Sequence, residues 1–330
     1  MLYAKDAMDG LDLANKLSNP EQREQMVQEH KAALATLTLA DEEKKEQPEL
    51  TRARRSNISP DAPVFSPPDY DRHVLRDYPL SHILPYVNLQ MLMGHHLGLK
   101  GNVDELLAKG DEKAVQLKET VDGILLNAEK EGWMKPQAMY RFFPAQSEGN
   151  DILVYDPEDR SRILHRFTFP RQAVEPYLCL SDFLKSVESG IMDSVAFMVV
   201  TAGPGAREQA EEWKKSGDYL RSHALSASAL EVAEGLAERV HQIIRDLWGF
   251  PDPAEMTMKQ RFGARYQGIR VSFGYPACPD LEDQGPLFAL MKPEDIGVEL
   301  TEGFMMEPEA SVSAMVFAHP EAKYFNVDKS

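Results

Sequence analysis

Cysteine is scarce in this chain: among 330 residues only Cys179 and Cys278 occur, far apart and without a second Cys at metal-ligand spacing. That excludes a disulfide-dense scaffold and a cysteine-rich zinc module, and leaves two reduced thiols as the expectation. No apolar run approaches the length of a membrane span, and the first residues lack the basic and apolar regions of a signal peptide. A soluble, cytoplasmic protein with no membrane partner is therefore expected. Cationic charge is also short, with 36 Lys and Arg against 53 Asp and Glu, a formal net charge of −17. Affinity for a phosphate backbone rests on cationic surface, so nucleic acid is not an expected partner. No P-loop, GxSxG, HExxH or paired CxxC is present, which removes the common phosphate-cradling, serine-nucleophile and zinc chemistries. What is present is 43% hydrophobic residues, enough at this length for a sizeable core.

The polarity pattern divides the chain in three. Residues 1–38 begin with a short apolar, strand-like piece and continue through helix-favouring stretches broken at Asn19 and Pro20. This is too little apolar material for an independent domain. Residues 39–74 are polar, proline-rich and mixed in charge, the composition of a linker; the TRARR cluster within them is a candidate partner contact or simply part of a solvated tether. Residues 75–330 hold the remaining apolar material. Leu106, Leu107, Val115, Val121, Ile124 and Leu125 recur at helical spacing, interrupted near Gly110, and predict two packed helices. Residues 224–248 carry Leu230, Ala233, Leu236, Ala237, Val240 and Ile244 on one helical face. Between these regions ILVY, ILHRFTF and SVAFMVVTA read as strands. Strands clustered between helices favour an α+β fold over a regular βαβ alternation, and no internal repeat is seen.

The run richest in chemistry is residues 266–284, YQGIRVSFGYPACPDLEDQ. Arg270 supplies a planar fork of donors suited to a carboxylate, and Gly274 lets backbone approach a ligand. Tyr275 offers a flat face with a polar tip, while Pro276 and Pro279 restrict the backbone before any ligand arrives. An amino-acid carboxylate attached to a heteroaromatic ring fits this set. A structural surface turn uses the same residue types. His95 and His96 form a conspicuous pair, but adjacent helical residues point about 100° apart and do not make a joint metal site by spacing alone.

The run resembles the RxxxGYPACP signature of the activation domain of cobalamin-dependent methionine synthase, a module that binds S-adenosylmethionine (AdoMet). Further segments match in the same order: LPYVNLQMLMGHHLGLKG from Leu84, FFPAQSEGNDILVY from Phe142, FPRQ from Phe169, LCLSDF from Leu178 and LTEGFMMEPEASVSAMVFAHPEAKYF from Leu300. The resemblance covers residues 75–327. It implies a twisted, largely antiparallel sheet with flanking helices, and makes residues 1–38 the tail of a cobalamin-binding domain with its connecting helix. It implies Arg270, Gly274 and Tyr275 as AdoMet-binding positions, with Tyr324 in a tail folded back onto the site. Asn88 falls where some members carry an aspartate that contacts AdoMet; an amide accepts a hydrogen bond from an ammonium but adds no full negative charge. Glu234 matches an acidic position on the corresponding helix, with a solvated helix face as its other reading. Ala264 stands where some relatives have an acid, so nothing ionic carries over there.

The resemblance further implies a role in reductive methylation of cob(II)alamin to methylcobalamin, the electron coming from flavodoxin or a flavoprotein reductase. The parent enzyme moves a methyl group from methyltetrahydrofolate to homocysteine. This chain lacks the zinc module, the folate barrel and the DxHxxG pattern that supplies a histidine to cobalt, so the isolated chain is not expected to complete that reaction. Cobalamin would be held mainly by another module, and catalysis would consist of positioning rather than acid–base work. An AdoMet-sensing regulatory module, or a scaffold for another corrinoid protein, are the alternatives.

Overall fold

A computed structural model describes residues 56–327, and the expectations for residues 1–55 lie outside the described residues. The main sheet has strands β1 (His73–Leu75), β2 (Gln137–Glu148), β3 (Asp151–Tyr155), β4 (Ile163–Thr168), β5 (Asp193–Thr201) and β6 (Ile269–Val271), then, after a separate ribbon of β7 (Glu299–Leu300) with β8 (Met306–Glu307), β9 (Ser311–Phe317). The spatial order is β4-β3-β2-β5-β9-β6, and every pairing is antiparallel. At 12 residues β2 is long enough to carry two partners on one edge, β1 against Ala138–Tyr140 and β3 against Ala145–Glu148.

β5 reads as an almost unbroken apolar run because both sheet faces are covered, not one. Alternation sends Ala196, Met198 and Val200 to one core and Val195, Phe197 and Val199 to the other. The first core is roofed by helices α1 (Leu80–Ile83), α3 (Glu112–Lys130, preceded by the short α2, Val103–Lys109), α4 (Gly205–Lys215) and above all α5 (Tyr219–Trp248), whose apolar face holds Leu236, Val240 and Ile244. The second core is closed by the 3₁₀ turn Leu180–Phe183 and by α7 (Gln284–Met291), which follows the short α6 (Met258–Phe262). The α+β class and antiparallel sheet expected from sequence are observed.

The break between α2 and α3 lies at Gly110, whose left-handed φ of 68° closes the first helix before Asp111 caps the second. α5 starts five residues earlier than the apolar pattern suggested, because Asp218 accepts from the Arg221 amide and sets the N-terminus there. Gly235 in its middle is a packing requirement: a Cβ there would lie 3.2 Å from Ile83 Cγ2 and 3.3 Å from Tyr86 backbone. The turn bearing Tyr86 and Asn88 is thus seated against the helix.

The linker expectation needs correction for its described part. Phe65 packs on Phe250 with ring centroids 4.9 Å apart, and its carbonyl accepts from Trp248 Nε1 at 3.0 Å. The Tyr70 carbonyl accepts from Arg141 Nε at 2.9 Å, and β1 begins at His73. Polar composition hid a few aromatic anchors, each enough to hold neighbouring residues on the domain surface.

Candidate functional site

Strand alternation aims Arg270. Its neighbours Ile269 and Val271 are buried among the residues packed against α7, so Arg270 leaves the opposite face of β6 towards α5. There Nη1 donates a short hydrogen bond to Glu238 Oε2 and lies 3.4 Å from the Tyr266 hydroxyl, while Nη2 is 3.6 Å from Glu234 Oε2. That last separation is an ion pair too long for a good hydrogen bond, so this side of the fork keeps directed donors for a second carboxylate. Burial opposes charge on Arg270, yet Glu238, Tyr266 and Tyr324 hold its pKa above the ordinary arginine value.

Behind Arg270 the charges alternate in sign. Glu238 Oε1 is 3.8 Å from Arg245 Nη2, Arg245 binds Asp252 through two bonds of 2.7 and 2.8 Å, and Asp252 Oδ2 also accepts from Arg261 Nε at 3.0 Å. Arg245 is fully buried, with its guanidinium 3.8 Å above the Tyr266 ring. Burial, then Glu238 and Tyr324, push the Tyr266 phenol far up against the pull of Arg270. His241 is fully buried beside Tyr266; burial, then Arg245 and Arg270, push its pKa well below the usual histidine value. It is neutral at pH 7.

Of these groups Arg270, Glu238, Tyr266 and Arg261 line a cleft of about 840 Å³, with His241, Arg245 and Asp252 behind them. One wall is α5, with Glu231 and Glu234; the facing elements are the turn around Asn88, the α6 region with Phe262 and Ala264, and the loop after β6. In that loop Gly274 donates to the Cys278 carbonyl at 2.8 Å with φ 87°, and a Cβ on it would meet Leu281 Cδ2 at 2.9 Å. Only glycine makes this turn without strain. The turn leaves Tyr275 at the mouth, 59% exposed, and Tyr324 from the C-terminal segment lies there too, 53% exposed. Phe325 also lines the cleft and packs towards the core, its ring centroid 6.2 Å from that of Phe183. Cys278 is buried, and burial, then Asp283 and Asp280, push its thiol up, so it does not offer a nucleophile.

A guanidinium at the floor, carboxylates on the wall and two exposed tyrosine rings at the mouth complement a zwitterionic amino acid joined to a flat heterocycle. Residues 79–330 match the family model for the vitamin B12-dependent methionine synthase activation domain. The chain belongs to this family. It is 32% identical to methionine synthase of Mycobacterium tuberculosis and 30% identical to that of Mycobacterium leprae, in each case across 98% of this chain. It spans only 30% and 29% of those relatives' lengths. A crystal structure of the MetH reactivation domain bound to AdoHcy superposes with a TM-score of 0.80 at 25% identity, covering 86% of this chain and 90% of that one.

Within this activation domain, Asn88, Glu234, Arg270, Tyr275 and Tyr324 line one cleft, and Gly274 shapes its loop. Asn88 does not stand ready as an acceptor: its Oδ1 takes the amides of Gln90 at 3.1 Å and Met91 at 3.2 Å, opening the π-helical turn Gln90–His96. With both lone pairs engaged, the side chain has its NH₂ donors left for a ligand. Glu234 is half exposed, but beside Arg270 rather than on a free helix face. His96 turns to Glu231 at 3.1 Å, and among the described residues no group of three His, Cys, Asp or Glu is arranged to hold a metal ion.

Sequence reasoning missed Glu231, Glu238, His241, Arg245 and Asp252. A signal existed for four of them. Glu231, Glu234, Glu238, His241 and Arg245 follow one another at steps of 3, 4, 3 and 4, a polar stripe running beside the apolar face of the helix. A stripe of that kind inside a buried helix has to meet partners.

Proposed function

We propose that this activation domain binds AdoMet in the cleft over Arg270 and supports the reductive methylation of cob(II)alamin to methylcobalamin in cobalamin-dependent methionine synthase, within methionine biosynthesis. The observation that carries the reading is the Arg270 fork, anchored through Nη1 by buried Glu238 while Nη2 faces the cleft beside Glu234. In this reading Nη2 takes the ligand carboxylate, Glu234 neutralises the ammonium, and Tyr275 and Tyr324 flank the adenosine. The likeness to a reactivation domain bound to AdoHcy supports it, since AdoHcy is AdoMet without its transferable methyl group.

Cobalamin held by its own domain would supply the methyl-accepting cobalt, and Arg270, Glu234, Tyr275 and Tyr324 would hold the methyl donor before it. The part played by this chain is to orient the sulfonium, hold the amino-acid head and exclude water, which requires no general base. The reading carries with it a tail of the cobalamin-binding domain in residues 1–38, a linker in residues 39–55, partnership with that domain, an electron from flavodoxin or a flavoprotein reductase, and a cytoplasmic setting. The isolated chain is not proposed to complete methyl transfer from methyltetrahydrofolate to homocysteine.

Calorimetric titration of the chain with AdoMet and AdoHcy tests the binding half, with one-site binding of both expected. Mixing with a cob(II)alamin-loaded cobalamin domain, AdoMet and a low-potential reductant tests the rest by the appearance of the methylcobalamin spectrum. Binding without any methylcobalamin would favour an AdoMet-sensing regulatory module instead.

A further inference from the structure

The cleft has a second polar station besides Arg270 and Glu234. Glu231 precedes Glu238 by seven residues on α5, which places it on the same helical face about 10 Å along the axis. Its side chain is 7% exposed and lines the cleft, and its Oε1 accepts from His96 Nε2 at 3.1 Å. His96 belongs to the facing π-helical turn, and its own carbonyl accepts from His223 Nε2 at 2.9 Å. The carboxylate is therefore held between two elements of the cleft wall.

Its chemistry differs from that of Glu234. Glu234 is half exposed and lies one turn away, within reach of Arg270, where an ammonium needs a counter-charge. Glu231 is largely desolvated and already paired with an imidazole, so it offers fixed acceptor lone pairs more than net charge. Burial pushes its carboxyl up, with His96 pulling the other way. An oriented carboxylate one helical turn from Glu234 and two from Glu238, the residues that hold the guanidinium, matches neutral vicinal hydroxyls on the same ligand, because each hydroxyl donates one hydrogen bond to a carboxylate oxygen. Resting on the AdoMet reading above, we propose that Glu231, oriented by His96, accepts hydrogen bonds from the ribose hydroxyls of the bound nucleoside.

The test is a cycle of calorimetric titrations on the full chain with AdoHcy and its 2′,3′-dideoxy analogue. Wild type should bind the dideoxy analogue at least about tenfold more weakly than AdoHcy, the loss typical of a hydrogen bond to a charged group. Glu231→Ala should weaken AdoHcy by a similar factor and leave the protein nearly indifferent to the hydroxyls. Glu231→Gln, which keeps one acceptor and folds with less disturbance, should show intermediate discrimination; it carries the cycle if the alanine variant does not fold. Full discrimination retained in both variants would overturn the ribose role while leaving the AdoMet reading intact. Wild type binding neither ligand would overturn both.

Discussion

Asp252→Ala is expected to cost about 3 kcal/mol of stability at neutral pH, the lower end of what breaking a buried ion pair costs. The size follows from what Arg245 would keep. Its guanidinium is fully buried and now has two hydrogen bonds to Asp252, itself 2% exposed. Without them there remain Glu238 Oε1 at 3.8 Å, beyond hydrogen-bond distance, and the face of Tyr266 at 3.8 Å. Arg261 loses its Asp252 bond as well, but it keeps the Met256 carbonyl at 3.0 Å. Urea unfolding followed by circular dichroism measures the loss, and a fall in Tm of roughly 5 °C should accompany it. Asp252→Asn should lose less, because an acceptor remains beside Arg245. Acid supplies a check. Burial raises the Asp252 pKa, but the bonds from Arg245 and Arg261 outweigh it and leave the folded value below the ordinary aspartate value. A depressed folded pKa means the stabilisation is complete above the unfolded value and disappears as pH falls through the folded one. The gap between wild type and variant should therefore hold from pH 7 to about 5 and begin to close only near pH 4 and below. A loss under about 1 kcal/mol at pH 7, or a gap that closes already above pH 5, would refute the alternating-charge account.

Arg270→Ala should weaken AdoHcy binding by about 2 kcal/mol or more, read by calorimetry, because a charge-assisted contact is lost and Glu238 keeps a buried charge with one partner fewer. Tyr324→Ala removes a ring that is half exposed, so unfolding should shift by less than about 0.5 kcal/mol while ligand affinity falls by about 1 kcal/mol. Unchanged affinity there would take Tyr324 out of the site. Gly274→Ala must hold a φ of 87° and move Leu281, and should cost about 1–2 kcal/mol in stability together with weaker binding. Both thiols are buried with their pKa pushed up, so Ellman's reagent at pH 8 should react slowly with the native domain and titrate both after denaturation.

Local sequence determined a good deal. Apolar and β-branched runs marked β3, β4 and β5, and helical spacing marked the helices around Gly110, because residue type and periodicity are properties of each element alone. The 266–284 run marked the ligand loop, since Gly274 and the prolines constrain backbone wherever they stand. Partner choice was decided by tertiary structure. Arg270 meets Glu238 across 32 residues, which requires α5 to lie over the face of β6 from which Arg270 projects, and Glu231 meets His96 across 135, which requires the Gln90–His96 turn to pack on α5. Asn88 shows the same division at one residue: its type allowed an acceptor for a ligand, but the fold of the next turn directs two backbone amides onto that oxygen. Residues 56–74 look like tether by composition, yet Phe65 and Tyr70 attach them to surfaces built from Trp248, Phe250 and Arg141. Backbone preference is encoded within a few residues, whereas the desolvation that makes an ion pair or an aromatic anchor count depends on what the rest of the chain brings to cover it.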